Sequence, residues 1–530
     1  MTTKPEYEEQ EEYQNRLQKL GELRNLGIEP YPHKYTPTHY AKPLHEEFEG
    51  KEIGHSEDAA QGSTPKVCVS GRIVLFRAMG KNAFAHIQDH TGRIQVMFNR
   101  DISQVAGYSA SAPSAQEMLS PIKLIEKKFD LGDIIGIEGN LFYTQKGELT
   151  VYAKNVTLLC KTLLPLAEKH SGLQDKEIRY RKRWLDLISN EEVRDIFRKR
   201  SRILSMIRHF FEEKDFIEVE TPVLQSIYGG AEASPFITKL NALDQQMFMR
   251  ISLEIPLKKL IVGGMHKVFE IGRVFRNEGI DRSHNPEFTL LEAYSSYWDY
   301  NDMMVCMETL VESLALALHG TTKLTVSNPE TKEKIILDVK APWPRLSMKE
   351  SLIQFANIDV NQLNDEELYK KVIACGHLDT KKVKTFPRGL MIAALFEHLV
   401  EPKLIQPHHI TDHPIETTPL CKPHRKQEER AQGIVERFET FILGGEFCNA
   451  YTELNDPVIQ KELLETQAKR KEAGDEEANP FDHEFIEAIC QGMPPTGGIG
   501  IGIDRLVMLL TNSHSIRDVL YFPWMKPTNI

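Results

Sequence analysis

The segment 267–294 carries side chains that could bind a phosphorylated, aromatic ligand. Two β-rich runs, 267–276 and 287–295, flank a polar stretch with glycine, asparagine and proline, which is typical of two antiparallel strands joined by a long loop. Because alternate residues of a strand share a face, an aromatic ring, a carboxylate and a phenol of the second strand should face one cleft. An arginine at the end of the first strand could bind a phosphate at its mouth. The candidate residues are Arg276, Glu278, His284, Phe288, Glu292 and Tyr294.

A second group of polar side chains interrupts the apolar segment 437–456. If 446–453 is a strand, its alternate residues place an amide, a phenol and a carboxylate on one face. Two further carboxylates flank the glycine pair at 444–445, and carboxylates together with phosphate oxygens are usual ligands of Mg²⁺. Taken alone, such a pair is more typical of ordinary surface charge. The residues are Asn449, Tyr451 and Glu453 on the strand, and Glu439 and Glu446 beside the glycines.

The run Gly-Gly-Ile-Gly-Ile-Gly-Ile-Asp-Arg at 497–505 predicts a buried, glycine-rich strand that turns into an apolar helix. Its spacing differs from the GxGxxG of dinucleotide-binding proteins. Arg505 stands at the start of the helix, where the helix dipole also favours an anion. We therefore expect a second guanidinium there to bind an anionic ligand.

From 67 to 159, apolar and polar residues alternate in short runs separated by glycine turns. About five strands, with a helix expected over 114–128, predict a small Greek-key barrel of the OB type. Such barrels bind single-stranded nucleic acid by stacking bases on exposed aromatic side chains. Before the barrel, 7–26 predicts one amphipathic helix with Leu17, Leu20 and Leu23 in its apolar stripe, and the polar segment 33–65 is expected to be irregular.

Longer elements should position the polar segments. Residues 194–214 predict an amphipathic helix, and Pro222 should close the strand after it. The segment 300–410 is typical of an insertion with its own secondary structure. We expect in it helices over 301–318 and 365–375 and a hairpin around Asn328 and Pro329.

The pattern Phe-Arg-Asn-Glu at 275–278 followed by His-Asn-Pro-Glu-Phe at 284–288 closely resembles the second signature motif of class II aminoacyl-tRNA synthetases. The segment 194–222 resembles the first motif and 497–510 the third. From about residue 7 to residue 523, the chain is similar to the bacterial-type lysine enzymes of subclass IIb. The resemblance implies an α+β fold: an N-terminal OB-fold β-barrel followed by a class II catalytic domain built on an antiparallel β-sheet flanked by helices.

The resemblance also implies a role for each candidate residue. It assigns ATP binding to Arg276, Glu278, His284, Phe288 and Arg505, and both arginines are catalytic in the family. It assigns Mg²⁺, up to about three ions with ATP, to Glu439 and Glu446. It assigns lysine binding to Gly230, Glu254, Glu292, Tyr294, Asn449, Tyr451 and Glu453. Buried carboxylates require a cationic partner, which fits lysine, although charge alone leaves arginine open.

In this family the barrel reads the tRNA anticodon. The resemblance assigns this role to Arg77, Phe84, Gln95 and Glu148. From periodicity alone, Phe84 is somewhat more typical of a core residue. The first motif builds a homodimer interface in the family, so a dimer is implied. A basic cluster after the barrel, which could contact an RNA backbone or form a solvated helix face, consists of Arg179, Arg181, Lys182 and Arg183.

Length and composition limit the possible domain organisation and binding partners. The 530 residues exceed what one hydrophobic core supports. We expect an N-terminal helix and extension at 1–65, the barrel at 66–165, a linker at 166–193 and the catalytic domain at 194–530. A net charge of −11 argues against a protein that binds nucleic acid over its whole surface.

Seven cysteines without a Cys-x-x-Cys pair favour buried thiols in a reducing compartment over a disulfide framework or a zinc knuckle. The N-terminus is polar, and the sequence shows neither a signal peptide nor an apolar run long enough for a membrane span. A cytoplasmic protein is therefore expected.

The function expected from these features is activation of L-lysine with ATP to lysyl-adenylate and pyrophosphate, followed by transfer of lysine to the 3′-terminal adenosine of tRNA(Lys). One alternative is a paralogue that lysylates a translation factor, although such enzymes usually lack the barrel. Another is a non-catalytic RNA-binding protein, which should have lost Arg276, Glu439, Glu446 or Arg505. Two departures from the family pattern concern the amino-acid loop: Ser234 stands where arginine is usual, and Pro256 where tyrosine or phenylalanine is usual.

Overall fold

The computed structural model describes residues 5–108, 119–166, 175–327, 333–376, 378, 380–475 and 478–527. Contacts divide the chain into two units, 1–172 and 173–530. The finer bounds at 65, 165 and 193 stay predictions. Within the described residues, no helix is long and apolar enough to cross a membrane.

The first unit is built on a closed β-barrel. The described strands are β1 (Lys66–Met79), β2 (Asn82–Gln88), β3 (Arg93–Asn99), β4 (Gln104–Val105), β5 (Ile134–Tyr143) and β6 (Leu149–Cys160). The described helices are α1 (Glu11–Asn25), α2 (Ala41–Phe48), α3 (Ser56–Gln61) and α4 (Pro121–Lys128). The order β3-β2-β1-β5-β6 closes through a parallel pairing of β3 with β6. This arrangement confirms the predicted OB-type barrel.

The barrel core follows from period-two burial along its strands. In β1, Val67, Val69 and Ile73 point inward and are at most 2% exposed. The same core includes Leu44 of α2, so the segment predicted as irregular contains helices that pack on the barrel. The predicted helix over 114–128 is shorter, because it begins at Pro121, and its residues 114–118 lie outside the described part of the chain.

The N-terminal helix also differs from its prediction. Glu6–Glu9 forms a separate 3₁₀ turn before α1. Leu20 and Leu23 are buried, whereas Leu17 is 41% exposed. The apolar stripe of α1 is therefore narrower than the leucine spacing indicated.

The second unit is built on one large sheet. Its described strands are β7 (Ile217–Glu218), β8 (Leu224–Gln225), β9 (Ile237–Leu240), β10 (Gln245–Met249), β11 (Lys267–Phe275), β12 (Glu287–Ser296), β13 (Lys323–Ser327), β14 (Lys334–Asp338), β15 (Arg345–Ser347), β16 (His408–Pro414), β17 (Ile434–Ile442), β18 (Gly445–Thr452) and β19 (Thr496–Gly502). Within the described residues, the order of the sheet is β15-β16-β17-β18-β19-β12-β11-β7. The pairs β15–β16 and β11–β7 are parallel and the others antiparallel, so the expected antiparallel sheet carries one parallel strand at each edge.

Helices cover this sheet. Those described are α5 (Lys176–Arg181), α6 (Arg183–Ser189), α7 (Glu191–Glu212), α8 (Glu254–Val262), α9 (Tyr300–His319), α10 (Met348–Ala356), α11 (Asp365–Ala374), α12 (Thr380–Val383), α13 (Arg388–Leu399), α14 (Gln427–Ala431), α15 (Pro457–Glu472), α16 (His483–Cys490), α17 (Ile503–Thr511) and α18 (Ile516–Val519). The amphipathic α7 buries Ile203, Ile207 and Phe211 as predicted. The strand that should end at Pro222 is reduced to the two residues of β7.

The segment 300–410 differs from the predicted insertion. Helix α9 packs into the central core through Met303, Met307 and Leu310, alongside the strands of the large sheet. A separate apolar cluster forms between Met348 and Leu404. Strands β13 and β14 pair as the predicted hairpin, but its turn at 328–329 lies outside the described residues.

The basic cluster after the barrel is largely committed to internal contacts. Arg183 is 1% exposed. Its guanidinium donates to Asp186 at 2.7 Å and to the backbone carbonyl oxygens of Arg517, Leu520 and Tyr521 at 2.6, 3.2 and 3.1 Å. The prediction that this arginine contacts RNA is therefore wrong, because burial and these bonds hold its guanidinium inside the second unit.

Candidate active site

A cavity of about 470 Å³ opens on one face of the large sheet. It is lined by strands β12, β17, β18 and β19, by the start of α8 and α17, and by the loops after β8 and β11. Every residue that the sequence assigned to ATP, metal or lysine lines this one cavity: Gly230, Glu254, Arg276, Glu278, His284, Phe288, Glu292, Tyr294, Glu439, Glu446, Asn449, Tyr451, Glu453 and Arg505.

The alternating glycines of β19 leave the floor of the cavity open. This strand lies between β12 and β18, and its glycines stand opposite polar residues of both neighbours. The pairs are Glu292–Gly500 and Tyr294–Gly498 on one side, and Asn449–Gly500 and Tyr451–Gly498 on the other. A β-carbon at Gly498 would lie 2.0 Å from Oε1 of Glu453 and 2.5 Å from Cε1 of Tyr294. Only glycine leaves room here for both side chains.

A β-bulge in β18 lets residues on both sides of the bulge face the cavity. Phe441 of β17 stands opposite Glu446, but the preceding Thr440 stands opposite Cys448, so one residue of β18 is unpaired. Without the bulge, Glu446 and Asn449 would point to opposite faces because they are three residues apart. The bulge lets both line the cavity.

At one end of the cavity, two arginines flank an aromatic ring. The guanidinium carbon of Arg276 lies 5.2 Å from the ring centroid of Phe288, and its Nε donates to the carbonyl oxygen of Ile251 at 3.3 Å. Arg505, in the first turn of α17, donates to the carbonyl oxygen of Glu446. Burial lowers the pKa of Arg276, against the attraction of nearby carboxylates. Both guanidinium groups retain donors for an anion.

The loop between β11 and β12 brings two exposed groups to this end. Glu278 and His284 both line the cavity and are exposed to solvent. The imidazole Nδ1 of His284 lies 2.8 Å from a carboxylate oxygen of Asp281. This contact orients the ring.

Between the two ends lies a pair of carboxylates. Glu439 of β17 accepts a hydrogen bond from Arg437, and a carboxylate oxygen of Glu446 lies 4.0 Å from Arg505. Burial, and then repulsion by Glu439, raise the pKa of Glu446 to about 7. Burial and the same two carboxylates raise the pKa of Glu401 to about 7. The region therefore concentrates negative charge that a cation would relieve.

The opposite end is acidic and fully enclosed. Glu254, Glu292 and Glu453 are at most 5% exposed. Burial and the repulsion of Glu254 raise the pKa of Glu292 to about 7. Oxygens of Glu292 accept bonds from the backbone N–H of Leu253 at 2.9 Å and from the hydroxyl of Tyr294 at 3.0 Å. These bonds fix the carboxylate at the floor of the cavity.

A buried lysine lies beside these carboxylates. Lys258 of α8 is fully buried and forms ion pairs with Glu254 and Glu453. Burial alone would lower the pKa of Lys258, but the attraction of the two carboxylates raises this pKa above its usual value. Burial raises the pKa of Glu453 to about 8, against the attraction of Lys258. Neither oxygen of Glu453 has a well-aligned hydrogen-bond donor among the described residues.

The loop that carries Gly230 approaches the acidic end closely. Gly230 has a φ of +86°, and a β-carbon there would lie 2.2 Å from Oγ of Ser252. The two residues that depart from the family pattern have ordinary structural roles. The carbonyl oxygen of Ser234 accepts from the N–H of Asn277 at 2.8 Å. Pro256 stands in the first turn of α8, where a missing N–H leaves no helix bond unmade.

In the barrel, three of the residues assigned to the anticodon, Arg77, Phe84 and Gln95, lie on β1, β2 and β3, and Glu148 immediately precedes β6. Arg77 pairs with Phe84 between β1 and β2, and Arg77 is exposed. Phe84 is partly buried against Met97, Phe142 and Tyr152. One part of its ring therefore packs as a core residue, and the other part stays accessible at the surface.

A hydrogen-bonded network lies next to Phe84. Glu148 is bonded to Gln95 and to the imidazole of His86, each at 2.7 Å. The sequence analysis did not single out His86. Period two along β2 would have placed it on the same face as Phe84.

The predicted site lacked several residues of the cavity: Arg437, the loop 417–420 and the glycines of β19 that face it. It also lacked Lys258, which pairs with the cavity residues Glu254 and Glu453. The glycines left a clear signal, since they alternate with buried isoleucines at strand spacing. Lys258 left none, because a lysine four residues after a glutamate is usually a surface pair.

Two family models match the chain. The model described as tRNA synthetases class II (D, K and N) matches residues 175–526, and the model of the OB-fold nucleic acid binding domain matches 67–159. The chain belongs to the class II tRNA synthetases.

Full-length relatives narrow the family. The chain is 57% identical over 528 residues to the lysine–tRNA ligase of Chlamydia felis, which covers 99% of each chain. It is 45% identical to the lysine–tRNA ligases of Nostoc punctiforme, over 97% of this chain and 87% of that protein, and of Pelotomaculum thermopropionicum, over 97% and 94%. Within its class, the chain falls in the lysine–tRNA ligase family of enzymes.

Proposed function

We propose that the cavity activates L-lysine with ATP and transfers the lysyl group to the 3′-terminal adenosine of tRNA(Lys). The observation that carries this proposal is the charge separation along the cavity. Two guanidinium groups and an aromatic ring lie at one end, and three enclosed carboxylates lie at the other. A ligand pair with phosphates at one end and ammonium groups at the other matches this distribution.

ATP is assigned to the arginine end. Phe288 offers a ring face for adenine, Arg276 a fork for the α-phosphate and Arg505 a second fork for the γ-phosphate. Glu278 and His284 lie at the rim, where they can donate to or accept from the nucleotide. These roles rest on the family resemblance together with the positions of the side chains.

The donor set at Glu439 and Glu446 fits Mg²⁺. Hard oxygen ligands suit this ion, and it commonly uses one or two carboxylates and completes its shell with water and substrate phosphates. The described residues contain no cluster of three or more histidine, cysteine or acidic side chains placed to hold a metal by themselves. When bound, Mg²⁺ would neutralise phosphate charge and stabilise the pyrophosphate leaving group. Glu439 and Glu446 would hold it.

Lysine is assigned to the enclosed end. Glu254 and the backbone beside Gly230 would bind the α-ammonium group, and Glu292, Tyr294 and Glu453 the side-chain ammonium group. Asn449 and Tyr451 complete the wall. Because unpaired buried charge is costly, a neutral or acidic side chain would leave these carboxylates uncompensated.

The chemistry then depends on placement. Arg276 belongs to the arginine end and also interacts with Glu292 of the acidic end. It can therefore hold the lysine carboxylate and the α-phosphate together and stabilise charge that develops on the phosphate oxygens. In-line attack by the carboxylate gives lysyl-adenylate and releases pyrophosphate. In the second step, the tRNA ribose hydroxyl attacks the adenylate carbonyl and AMP leaves.

The remaining assignments concern partners and location. We assign anticodon binding to Arg77, Phe84, Gln95 and Glu148, because an exposed cation, a half-buried ring and an amide lie together on the barrel. Homodimerisation rests on the resemblance, and a cytoplasmic location rests on the cysteine usage of the sequence. The domain bounds 1–65, 66–165, 166–193 and 194–530 rest on the sequence pattern together with the resemblance.

The deciding experiment is ATP–pyrophosphate exchange with each of the twenty amino acids, without tRNA. We expect exchange with lysine, followed by charging of tRNA(Lys). Exchange with a different amino acid would show that the acidic end is misassigned. A lack of exchange with every amino acid would refute adenylate formation.

A further inference from the structure

Lys258 pairs with two of the carboxylates to which the proposed function assigns the ammonium groups of the substrate. Its side chain is fully buried, and it joins Glu254, one helical turn earlier on α8, to Glu453 at the end of β18. Its Nζ also lies 5.9 Å from the ring centroid of Phe485, which closes the side away from the cavity. The chain thus provides its own cation between two carboxylates that would bind substrate.

The charge of this pocket requires such a cation. Glu254, Glu292 and Glu453 lie in one enclosure and are each at most 5% exposed. Three enclosed carboxylates without a cation would bind protons rather than stay ionised, because desolvation and mutual repulsion both disfavour the charged forms. A protonated carboxyl group no longer attracts an ammonium group as strongly.

We propose that Lys258 is a positioning residue that favours the ionised forms of Glu254 and Glu453 and orients both carboxylates for the two ammonium groups of the amino-acid substrate. This inference rests on the proposed function. Lys258 itself need not touch the substrate, since it acts through the two carboxylates. The aligned hydrogen-bond donors that Glu453 lacks in the described structure would then come from the substrate.

Other charged or titratable groups face the same enclosure from neighbouring elements and enter its proton balance. They are Glu292 and Tyr294 of β12, Arg437 of β17, Tyr451 of β18 and Cys421 from the loop before α14. Burial raises the pKa of Tyr294, Tyr451 and Cys421 above the usual values of phenols and thiols, so these three groups stay neutral near pH 7. The carboxylates are therefore the groups whose charge depends on Lys258.

The neighbouring lysine provides a matched control. Lys259 follows on the same helix and pairs with Glu484 at 2.8 Å, but Glu484 is 81% exposed. Removing a charge from an exposed pair has little effect, whereas removing one partner of a buried pair leaves an uncompensated charge. Lys258→Met and Lys259→Met therefore remove the same group from buried and exposed surroundings.

The test measures KM for lysine and for ATP in pyrophosphate exchange between pH 7 and pH 9. At pH 7, Lys258→Met should raise the KM for lysine about tenfold or more, because one or both carboxylates take up a proton. The KM for ATP should stay within about twofold, since the arginine end is untouched. As pH rises, the carboxylates of the variant ionise, and the ratio of its lysine KM to that of the wild type should fall.

Further variants separate charge from packing. Lys258→Gln removes the charge with less loss of volume and should show the same pH-dependent defect if Lys258→Met does not fold. Lys258→Arg keeps the charge and should keep the wild-type pH profile. Lys259→Met should match the wild type throughout. The increase in melting temperature on adding lysine gives a binding readout independent of turnover.

Two results would overturn the inference. One is an unchanged lysine KM in the charge-removing variants. The other is a lysine KM raised by the same factor at every pH, which would show a packing role. Both require a wild type with lysine-dependent exchange. A wild type without it would refute the proposed function instead, so the two failures are distinguishable.

Discussion

The two ends of the cavity differ in how much of their charge is paired before any ligand binds. At the acidic end, Glu254 and Glu453 already hold Lys258, and all three side chains are buried. At the arginine end, Glu278 and His284 are exposed, and Arg505 is bonded to a backbone carbonyl oxygen. The acidic end is preorganised by the protein, whereas the arginine end needs a ligand to complete it.

Removing Arg276 should produce the largest effect, because this residue belongs to the arginine end and also interacts with Glu292 of the acidic end. Arg276→Ala should reduce exchange with lysine by about 10³-fold or more, since a guanidinium that stabilises developing charge is lost. Pyrophosphate exchange at saturating ATP and lysine measures this loss. Near-normal exchange would show that the two ends react without a bridging cation.

Changing Glu453 should affect one end alone. Glu453→Gln should raise the KM for lysine about 10- to 100-fold, because a neutral amide pairs poorly with an ammonium group in an enclosed site. The KM for ATP should change little. Comparable increases for both substrates would contradict the separation of the cavity into independent ends.

Changing Phe84 in the barrel should leave both ends of the cavity in the second unit unchanged. Phe84→Ala should weaken tRNA charging about tenfold, because one base loses its stacking partner, and exchange without tRNA should persist. Aminoacylation kinetics with tRNA(Lys) measure the first effect. A large loss of exchange, or a lowered melting temperature, would assign the ring to the barrel core.

The pH dependence of the lysine KM should be the smallest of these effects, and it should follow protonation of the carboxylates at the acidic end. The pKa of Glu292 is raised to about 7 and that of Glu453 to about 8, so both bind protons as the pH falls. Below these values, fewer carboxylates attract the ammonium groups of lysine. The lysine KM should therefore rise severalfold from about pH 8.5 to pH 6 at saturating ATP and Mg²⁺. A flat profile would show that the carboxylates stay ionised.

Much of this arrangement was predictable, because the strands that carry it obey period two. Alternation along β12 placed Phe288, Glu292 and Tyr294 on one face, and all three line the cavity. The β18 bulge was not predictable from alternation, yet it brings Glu446 beside Asn449. Glu446 was predicted from its position beside the glycine pair and from the family resemblance, and not from the strand period.

The misses share a different cause. Lysine and arginine usually lie at the surface of a protein. Lys258 and Arg183 are buried because they bind partners far away in the sequence. Helix α9 was assigned to an insertion because its sequence shows no link to the sheet that it covers. Local patterns describe elements, whereas long-range contacts decide which of them share a core.

The bonds of Arg183 have a consequence for biosynthesis. Its guanidinium binds carbonyl oxygens at residues 517, 520 and 521, almost at the end of the chain. A ribosome that has made the linker must still make more than half of the protein before these acceptors emerge. The first unit ends at residue 172 and can fold while the rest of the chain is being made. The second unit can complete this contact only once the C-terminal segment has left the exit tunnel.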